Sequence, residues 1–140
     1  MEPVQKKTID DIEVGAVTTF TKTFTEADIC LFGGLSGDVL NPIHLNEEFA
    51  KTTMFKGRIV YGMLTASLIC TTLSMLAAPG AVHLSQDLKF KKPVYPQDTI
   101  TARAEVTEKI TEKRILIVKT TCVNQRDELV IDGTAVLKMI

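Results

Sequence analysis

The chain has 140 residues, 45% of them hydrophobic, and a formal net charge of −1. A chain of this length predicts one domain, over residues 1–140, with enough apolar residues to form a core. Its 16 basic residues are balanced by 17 acidic ones. The composition therefore gives no electrostatic reason to expect nucleic acid as a partner, because binding to phosphates requires a basic excess or a basic face.

The cysteines and the first residues indicate a cellular compartment. Cys30, Cys70 and Cys122 are odd in number, lie far apart and show no spacing typical of metal ligands. Residues 1–11 contain no apolar run of the kind found in a secretory signal. The sequence therefore predicts a reduced, cytoplasmic protein.

A strand and a helix are predicted first along the chain. The Thr-rich residues 17–24 favour a strand, because β-branched side chains fit a pleated surface. Thr25 follows as a helix N-cap, and acidic residues occupy the next turn. A glycine pair weakens this helix, which is predicted to end at Gly37.

An irregular segment and a short helix follow. Residues 38–45 are predicted to lack regular structure, because Pro42 restricts Asn41 to extended geometry. Asn46 and the acidic residues after it begin a second helix, which ends near Thr52. This irregular segment contains the most informative side chains of the sequence.

A long segment without charge runs from Ile59 to Val82. Its length would be sufficient to cross a bilayer. However, it contains five Ser and Thr residues between its ends and finishes at Pro79-Gly80. It therefore predicts a helix over about residues 60–78 that protein covers on nearly all sides, and no membrane span.

The second half of the chain predicts a four-stranded antiparallel meander. Apolar and polar residues alternate over 82–90 and 100–107, as they do in strands with one buried face. Two further β-rich runs, 115–123 and 129–139, are joined by a polar turn. The apolar row that is expected to face the core in the first of these strands comprises Val82, Leu84, Leu88 and Phe90.

The long apolar helix decides the predicted fold class. Such a helix must be covered around most of its circumference, and an antiparallel sheet wrapped around it can do so within this chain length. The prediction is an α+β hotdog fold with a long central helix. Because four or five strands cover only one side of the helix, the remaining surface predicts a homodimer or a larger homo-oligomer through the sheet or the helix.

Asp38 and His44 are the candidate catalytic residues. They lie close together in the irregular segment, where Pro42 stiffens the path between them. Hydration of an activated double bond requires one group that takes a proton from water and another that gives a proton to carbon. A histidine titrates near neutral pH, and a carboxylate beside it can share the same water. The alternative is that Asp38 caps a turn and His44 has a structural role.

The residues around this pair form a longer pattern. Its parts are Gly37-Asp38, Asn41-Pro42-Ile43-His44, Phe49-Ala50, Ile59-Val60-Tyr61-Gly62-Met63, Ala66-Ser67 and the segment from Lys91 to Thr99. This pattern resembles the MaoC-like family of (R)-specific enoyl-CoA hydratases, over about residues 9–140. The resemblance implies a hotdog fold, a dimer or larger assembly, and an acyl-CoA or acyl-carrier-protein thioester as substrate, without a metal or other cofactor. It also implies that Asp38 and His44 hold the catalytic water.

Four further residues are candidates for oxyanion or substrate binding. Gly62 begins the apolar helix, where a free backbone N–H and the helix dipole would stabilise the thioester oxygen as it becomes an enolate. Alternatively, Gly62 permits close packing. Asn41 and Tyr61 are candidates to position the water. Ser67 is a candidate for the same network, or its hydroxyl bonds back to the preceding turn.

Three positions depart from the family pattern. The segment between Asp38 and His44 is one residue longer, which moves an extended chain by roughly 3.3 Å and reverses the side-chain direction unless a bulge absorbs it. Tyr61 stands where the family commonly has His before Gly-Met. Gln97 stands where Gly is usual, so a turn that needs a positive φ would be less comfortable there.

The preferred reaction, which the resemblance implies, is reversible syn hydration of a trans-2-enoyl-CoA to an (R)-3-hydroxyacyl-CoA. One alternative is a hotdog acyl-CoA thioesterase, in which the same acid activates water against the carbonyl. Another is a non-catalytic acyl-CoA-binding module, which the additional residue between Asp38 and His44 motivates. Five basic residues either meet the phosphates of CoA or form a solvated face: Lys56, Arg58, Lys89, Lys91 and Lys92.

Overall fold

The computed structural model describes residues 4–140, so residues 1–3 of the predicted domain lie outside it. The described part contains one five-stranded antiparallel sheet in the order β1-β3-β4-β5-β2, so β1 and β2 are its edges. The strands are β1 (Val17–Thr23), β2 (Ala81–Phe90), β3 (Thr99–Ile110), β4 (Ile115–Val123) and β5 (Leu129–Met139). The α-helices are α1 (Glu26–Ser36), α2 (Glu47–Lys51) and α3 (Gly62–Ala77).

The core lies between α3 and the sheet. α3 has 16 residues and no charged side chain, and β1, β2, β3 and β4 all contact it. Its buried face comprises Thr65, Ala66, Leu68, Ile69, Thr72, Leu73, Leu76 and Ala77. This arrangement confirms the predicted α+β hotdog fold. Within residues 4–140, no helix is long and apolar enough to cross a membrane.

β2 differs from the predicted alternation. A bulge interrupts its pairing with β5 between His83 and Ser85. One extra residue in a strand reverses the alternation on either side of it, so a single apolar row cannot stay on one face. Val82 and Leu84 are 45% and 56% exposed, and the prediction that they face the core is wrong. Phe90, at the end of this edge strand, is also about half exposed.

The segment that carries the candidate catalytic residues is irregular, as predicted. Thr25 caps the start of α1, and Gly37 ends it in the left-handed conformation with a φ of 78°. Asn46 caps α2 through its side-chain oxygen. Since helix caps satisfy backbone groups that would otherwise lack partners, Gly37 and Asn46 set where α1 ends and α2 begins on either side of residues 38–45.

The turn before β3 has the conformation that favours glycine. Gln97 has a φ of 72°, and the N–H of Asp98 donates to the carbonyl of Tyr95 over 3.0 Å. A side chain in the left-handed region is unfavourable because Cβ approaches the following carbonyl. Gln97 therefore carries a strain that glycine at this position would avoid.

Candidate active site

His44 is held in a single orientation by the backbone. It is 9% exposed, and its Nδ1 lies 2.8 Å from the carbonyl oxygen of Ile59. A carbonyl can only accept a hydrogen bond, so Nδ1 carries the proton and donates it. In the neutral imidazole, Nε2 then retains its lone pair. This is the nitrogen that can take a proton from water.

Tyr61 lies between His44 and Asp38. Its ring stacks on the His44 imidazole with centroids 3.9 Å apart and an interplanar angle of 27°. Its hydroxyl donates to the backbone carbonyl of Asp38 over 2.6 Å. Burial raises the pKa of the Tyr61 hydroxyl, and the negative charge of Asp38 raises it further. The hydroxyl therefore stays protonated at neutral pH and remains a donor.

Asp38 and Asn41 lie on the outer side of this arrangement. Asp38 is exposed, and its N–H donates to the hydroxyl of Ser36 over 3.2 Å. Asn41 is also exposed, and its side-chain oxygen accepts the N–H of Ile43 over 3.4 Å. Asn41 thus stabilises the turn that leads to His44. The hydrogen bond between Asp38 and Tyr61 uses the backbone carbonyl of Asp38 and not its carboxylate.

A cavity of about 330 Å³ opens beside His44. Gly62 and the side chain of His44 form part of its wall, and Lys91 and Lys92 also line it. The rest of the lining is mainly apolar and comprises Phe55, Ile59, Val60, Thr65, Phe90, Pro93, Val94, Val130 and Ile131. Asp38, Asn41, Tyr61 and Ser67 are outside this lining. The structure therefore brings His44 and Gly62 together at the cavity.

Gly62 is the first residue of α3, and no side chain caps this helix end. The first N–H groups of a helix lack partners within it and lie at the positive end of its dipole. A Cβ added to Gly62 would lie 2.7 Å from a ring carbon of Phe90. The glycine therefore permits the Phe90 ring to lie close to the start of the helix. The position of Gly62 is compatible with both predicted roles, a donor to the thioester oxygen and a residue that permits close packing.

Ser67 and Arg58 form their polar contacts away from the cavity. The Ser67 hydroxyl donates to the carbonyl of Leu64 in its own helix over 2.6 Å. Arg58 forms ion pairs with Glu26 and Glu47, which tie the segment before α3 to α1 and α2. Lys91, by contrast, lines the cavity and forms no ion pair among residues 4–140.

Lys92 pairs with Glu128 at the rim of the cavity, with 2.6 Å between Nζ and Oε1. Hydrogen bonds from Asn124, Lys92 and Arg126 lower the pKa of Glu128 to about 2. The carboxylate is therefore ionised throughout the neutral range and partly neutralises Lys92. Lys91 is the basic side chain of the cavity lining that is available to an anionic ligand.

Several features of the site were not predicted from the sequence. The Ile59 carbonyl that orients His44 has no sequence signal, because any residue supplies a carbonyl. Phe90 was predicted as a core residue and instead lines the cavity. Gly33 was interpreted only as a weak point in α1, although a Cβ there would lie 2.9 Å from the Tyr61 hydroxyl oxygen. Its position on the buried side of α1 was the available signal.

Comparison with known proteins places this site in a family. A model of the MaoC like domain matches residues 10–127. The (R)-specific enoyl-CoA hydratase of Rhodospirillum rubrum is 46% identical over 127 residues, which cover 90% of this chain and 87% of that protein. The 3-hydroxybutyryl-CoA dehydratase of Methylorubrum extorquens is 41% identical over 131 residues, covering 93% of this chain and 82% of that protein.

Comparison with solved structures supports the same family. The crystallised (R)-hydratase of Aeromonas caviae, described as involved in PHA biosynthesis, superimposes with a TM-score of 0.87 and 39% identity. The match covers 92% of this chain and 98% of that one. With the family model matching most of the chain and two relatives above 40% identity, the chain belongs to the MaoC-like domain family.

Proposed function

We propose that the protein is an (R)-specific enoyl-CoA hydratase, which also catalyses the reverse dehydration of 3-hydroxyacyl thioesters. The observation that carries the proposal is the position of His44, whose free Nε2 belongs to a side chain in the cavity wall, beside the uncapped start of α3 at Gly62. The 46% identity with the R. rubrum enzyme of that name supports the same reaction.

The proposed reaction adds water across the double bond next to the thioester. One group of the Asp38–His44 pair takes a proton from water, and the resulting hydroxide attacks C3 of the acyl chain. The electrons of the double bond move to the thioester oxygen, which becomes an enolate. When the enolate collapses, the pair delivers this proton to C2. Asp38 and His44 thus return to their starting protonation states, and the net change is the addition of one water.

The start of α3 stabilises the enolate in this proposal. The Gly62 N–H lies at the uncapped first turn of α3, where the helix dipole favours negative charge. Preorganised donors of this kind act on charge that develops during the reaction, so they lower the barrier without strengthening substrate binding equally. The mainly apolar lining of the cavity lowers the local dielectric, which strengthens such interactions.

The substrate is an acyl thioester, carried by CoA or by an acyl carrier protein. Lys91 and Lys92 at the cavity are suited to the phosphates that both carriers possess. The three cysteines are free, which supports the cytoplasmic location expected from the sequence. The proposal requires no metal or other cofactor, because the acid, the base and the oxyanion donor all come from the chain.

We also propose that the enzyme is a homodimer. β2 is a long edge strand with exposed Val82 and Leu84, and α3 exposes Met63, Cys70 and Met75 on the side away from the sheet. Open strand edges and contiguous apolar surface are usually covered by another chain. A second copy would cover both surfaces at once, since Cys70 of α3 and His83 of β2 line one shared pocket.

Two measurements test the assembly. Sedimentation at micromolar concentration is expected to give the mass of a dimer, and a monomer would contradict the proposal. A thiol reagent should modify Cys30 on α1 readily, whereas Cys70 on α3 should be protected in the dimer and react on dilution. Equal labelling of both at high concentration would argue against α3 lying in the interface.

The reaction is tested with crotonyl-CoA and a series of longer trans-2-enoyl-CoA substrates. Loss of the conjugated absorbance is expected, with an (R)-3-hydroxyacyl product. Release of free CoA thiol at a comparable rate would indicate the thioesterase instead. Saturable acyl-CoA binding without turnover across the series would indicate a binding module, the alternative that the exposed position of Asp38 favours.

A further inference from the structure

Tyr61 contacts both members of the proposed acid–base pair. Its ring stacks on His44, and its hydroxyl donates to the carbonyl of Asp38. We infer that Tyr61 is a positioning residue for hydration, whose ring fixes the plane of the His44 imidazole and whose hydroxyl fixes the backbone that carries Asp38. The inference rests on the proposed function, because positioning matters only if the pair acts in the reaction.

The hydroxyl is the main external anchor of the segment after α1. Among residues 4–140, residues 38–41 form one hydrogen bond to a residue distant in sequence, and Tyr61 supplies it. Their other hydrogen bonds reach only two residues along the chain. Val39 and Leu40 are 60% and 89% exposed, so packing does not fix them. Without the Tyr61 hydroxyl, this part of the segment would be held only by local turns.

Tyr61 is itself fixed on its remaining sides. It is 3% exposed, and its ring lies 5.0 Å from the ring of Phe32. Gly33 leaves the space that the hydroxyl occupies, since a Cβ there would lie 2.9 Å from Oη and 3.7 Å from Cζ. The next residue, Gly34, has nothing within 4 Å of the equivalent position. The two adjacent glycines therefore offer a matched pair of substitutions.

The first experiment removes the hydroxyl and keeps the ring. Tyr61→Phe is expected to lower kcat for crotonyl-CoA about tenfold, because a small misplacement of an acid–base group strongly slows proton transfer. KM should change less than about twofold, since Tyr61 lies outside the cavity lining. Tyr95→Phe is the control, because it removes the chain's other tyrosine hydroxyl, which donates to the Phe55 carbonyl over 3.0 Å.

A double substitution separates positioning from general stability. If Tyr61 acts through Asp38, Tyr61→Phe should cost little in an Asp38→Asn background, because groups that act as a unit are not additive. An equal fold-loss in both backgrounds would overturn the inference, and so would wild-type kcat in folded Tyr61→Phe. A lower melting temperature with normal kcat would show that Tyr61 has a structural role only.

The glycine pair tests the same contact without touching Tyr61. Gly33→Ala should displace the hydroxyl, lower kcat as Tyr61→Phe does, and speed hydrogen exchange at the amides of Asp38 and Val39, whose N–H groups are hydrogen-bonded. Gly34→Ala should leave kcat and exchange unchanged. Unaltered exchange in Gly33→Ala would overturn the inference whatever the reaction is. If wild-type protein fails to hydrate any enoyl thioester, the proposed function fails, and the exchange result still decides whether Tyr61 anchors the segment.

Discussion

The two ends of residues 38–45 are held in different ways. His44 is buried, forms part of the cavity wall, and is hydrogen-bonded through Nδ1 to the backbone just before α3. Asp38 is exposed and lies outside the cavity lining, and among residues 4–140 its one hydrogen bond to a residue distant in sequence comes from Tyr61. One end is therefore positioned by packing, and the other by a single polar contact.

This contrast shows a difference in how the two side chains are held, which the sequence could not show. A group that performs proton transfer must be held within hydrogen-bond reach of the reacting atoms. His44 is held in place by its buried surroundings, whereas the position of Asp38 depends on its loop.

The largest effect is expected for His44→Ala. It removes the side chain in the cavity wall whose Nε2 is free, and positioned acid–base groups contribute about 10²–10⁴-fold to rate. Hydration of crotonyl-CoA should be nearly abolished, while the affinity for substrate, measured by calorimetry, should change much less. Activity near the wild-type level in a folded variant would contradict the greater importance of His44 relative to Asp38.

Asp38→Asn is expected to have the next largest effect, about 10²-fold in kcat. If Asp38 and His44 act on one water, the double substitution should cost little more than His44→Ala alone, because the two groups work as a unit. Steady-state kinetics of the two single variants and the double variant decide this. Near-normal activity in Asp38→Asn would show that the longer loop has displaced Asp38, and Asn41 or Tyr61 would then have to position the water.

A smaller effect is expected at the start of α3. Gly62→Ala keeps the backbone N–H but places a methyl group 2.7 Å from the Phe90 ring. The ring or the helix start must move, so kcat should fall about tenfold through misplacement of the oxyanion donor. Adding Phe90→Leu should restore part of the loss. Gly57→Ala is the control, since its nearest neighbour would lie at an ordinary 3.6 Å.

Helix α3 and the strands that alternate regularly were predictable, because their apolar residues follow a regular pattern in the sequence. The uncharged segment gave α3, and the alternation in residues 100–106 gave a strand whose inward residues are all buried. The bulge in β2 has no periodic signal, so the exposure of Val82 and Leu84 was missed. The bond from Tyr61 to Asp38 joins residues 23 positions apart, and only the fold brings them together.

The same reasoning applies to the candidate site. Asp38, His44 and Gly62 were found from residue types and from the family pattern. The relative positions of these three residues were not predicted, because they depend on a loop whose conformation is set by a few specific contacts. Gln97 is the opposite case, since a departure from the family pattern correctly identified a turn with positive φ. Departures from a local rule are informative where the required backbone geometry is known.

Gln97→Gly tests the turn before β3, which lies outside residues 38–45. Glycine adopts the φ of 72° without steric cost, although it also gains entropy in the unfolded chain. The net stabilisation should be about 0.5 kcal/mol, seen as a higher denaturant midpoint with an unchanged slope. Asp127→Gly is the matched control and should gain less, because Asp tolerates its φ of 58° better than Gln does. Hydration activity should stay at the wild-type level in both variants, since both turns lie outside residues 38–45. A change in kcat without a change in stability would show that this turn is coupled to the site, through Val94 in the cavity wall.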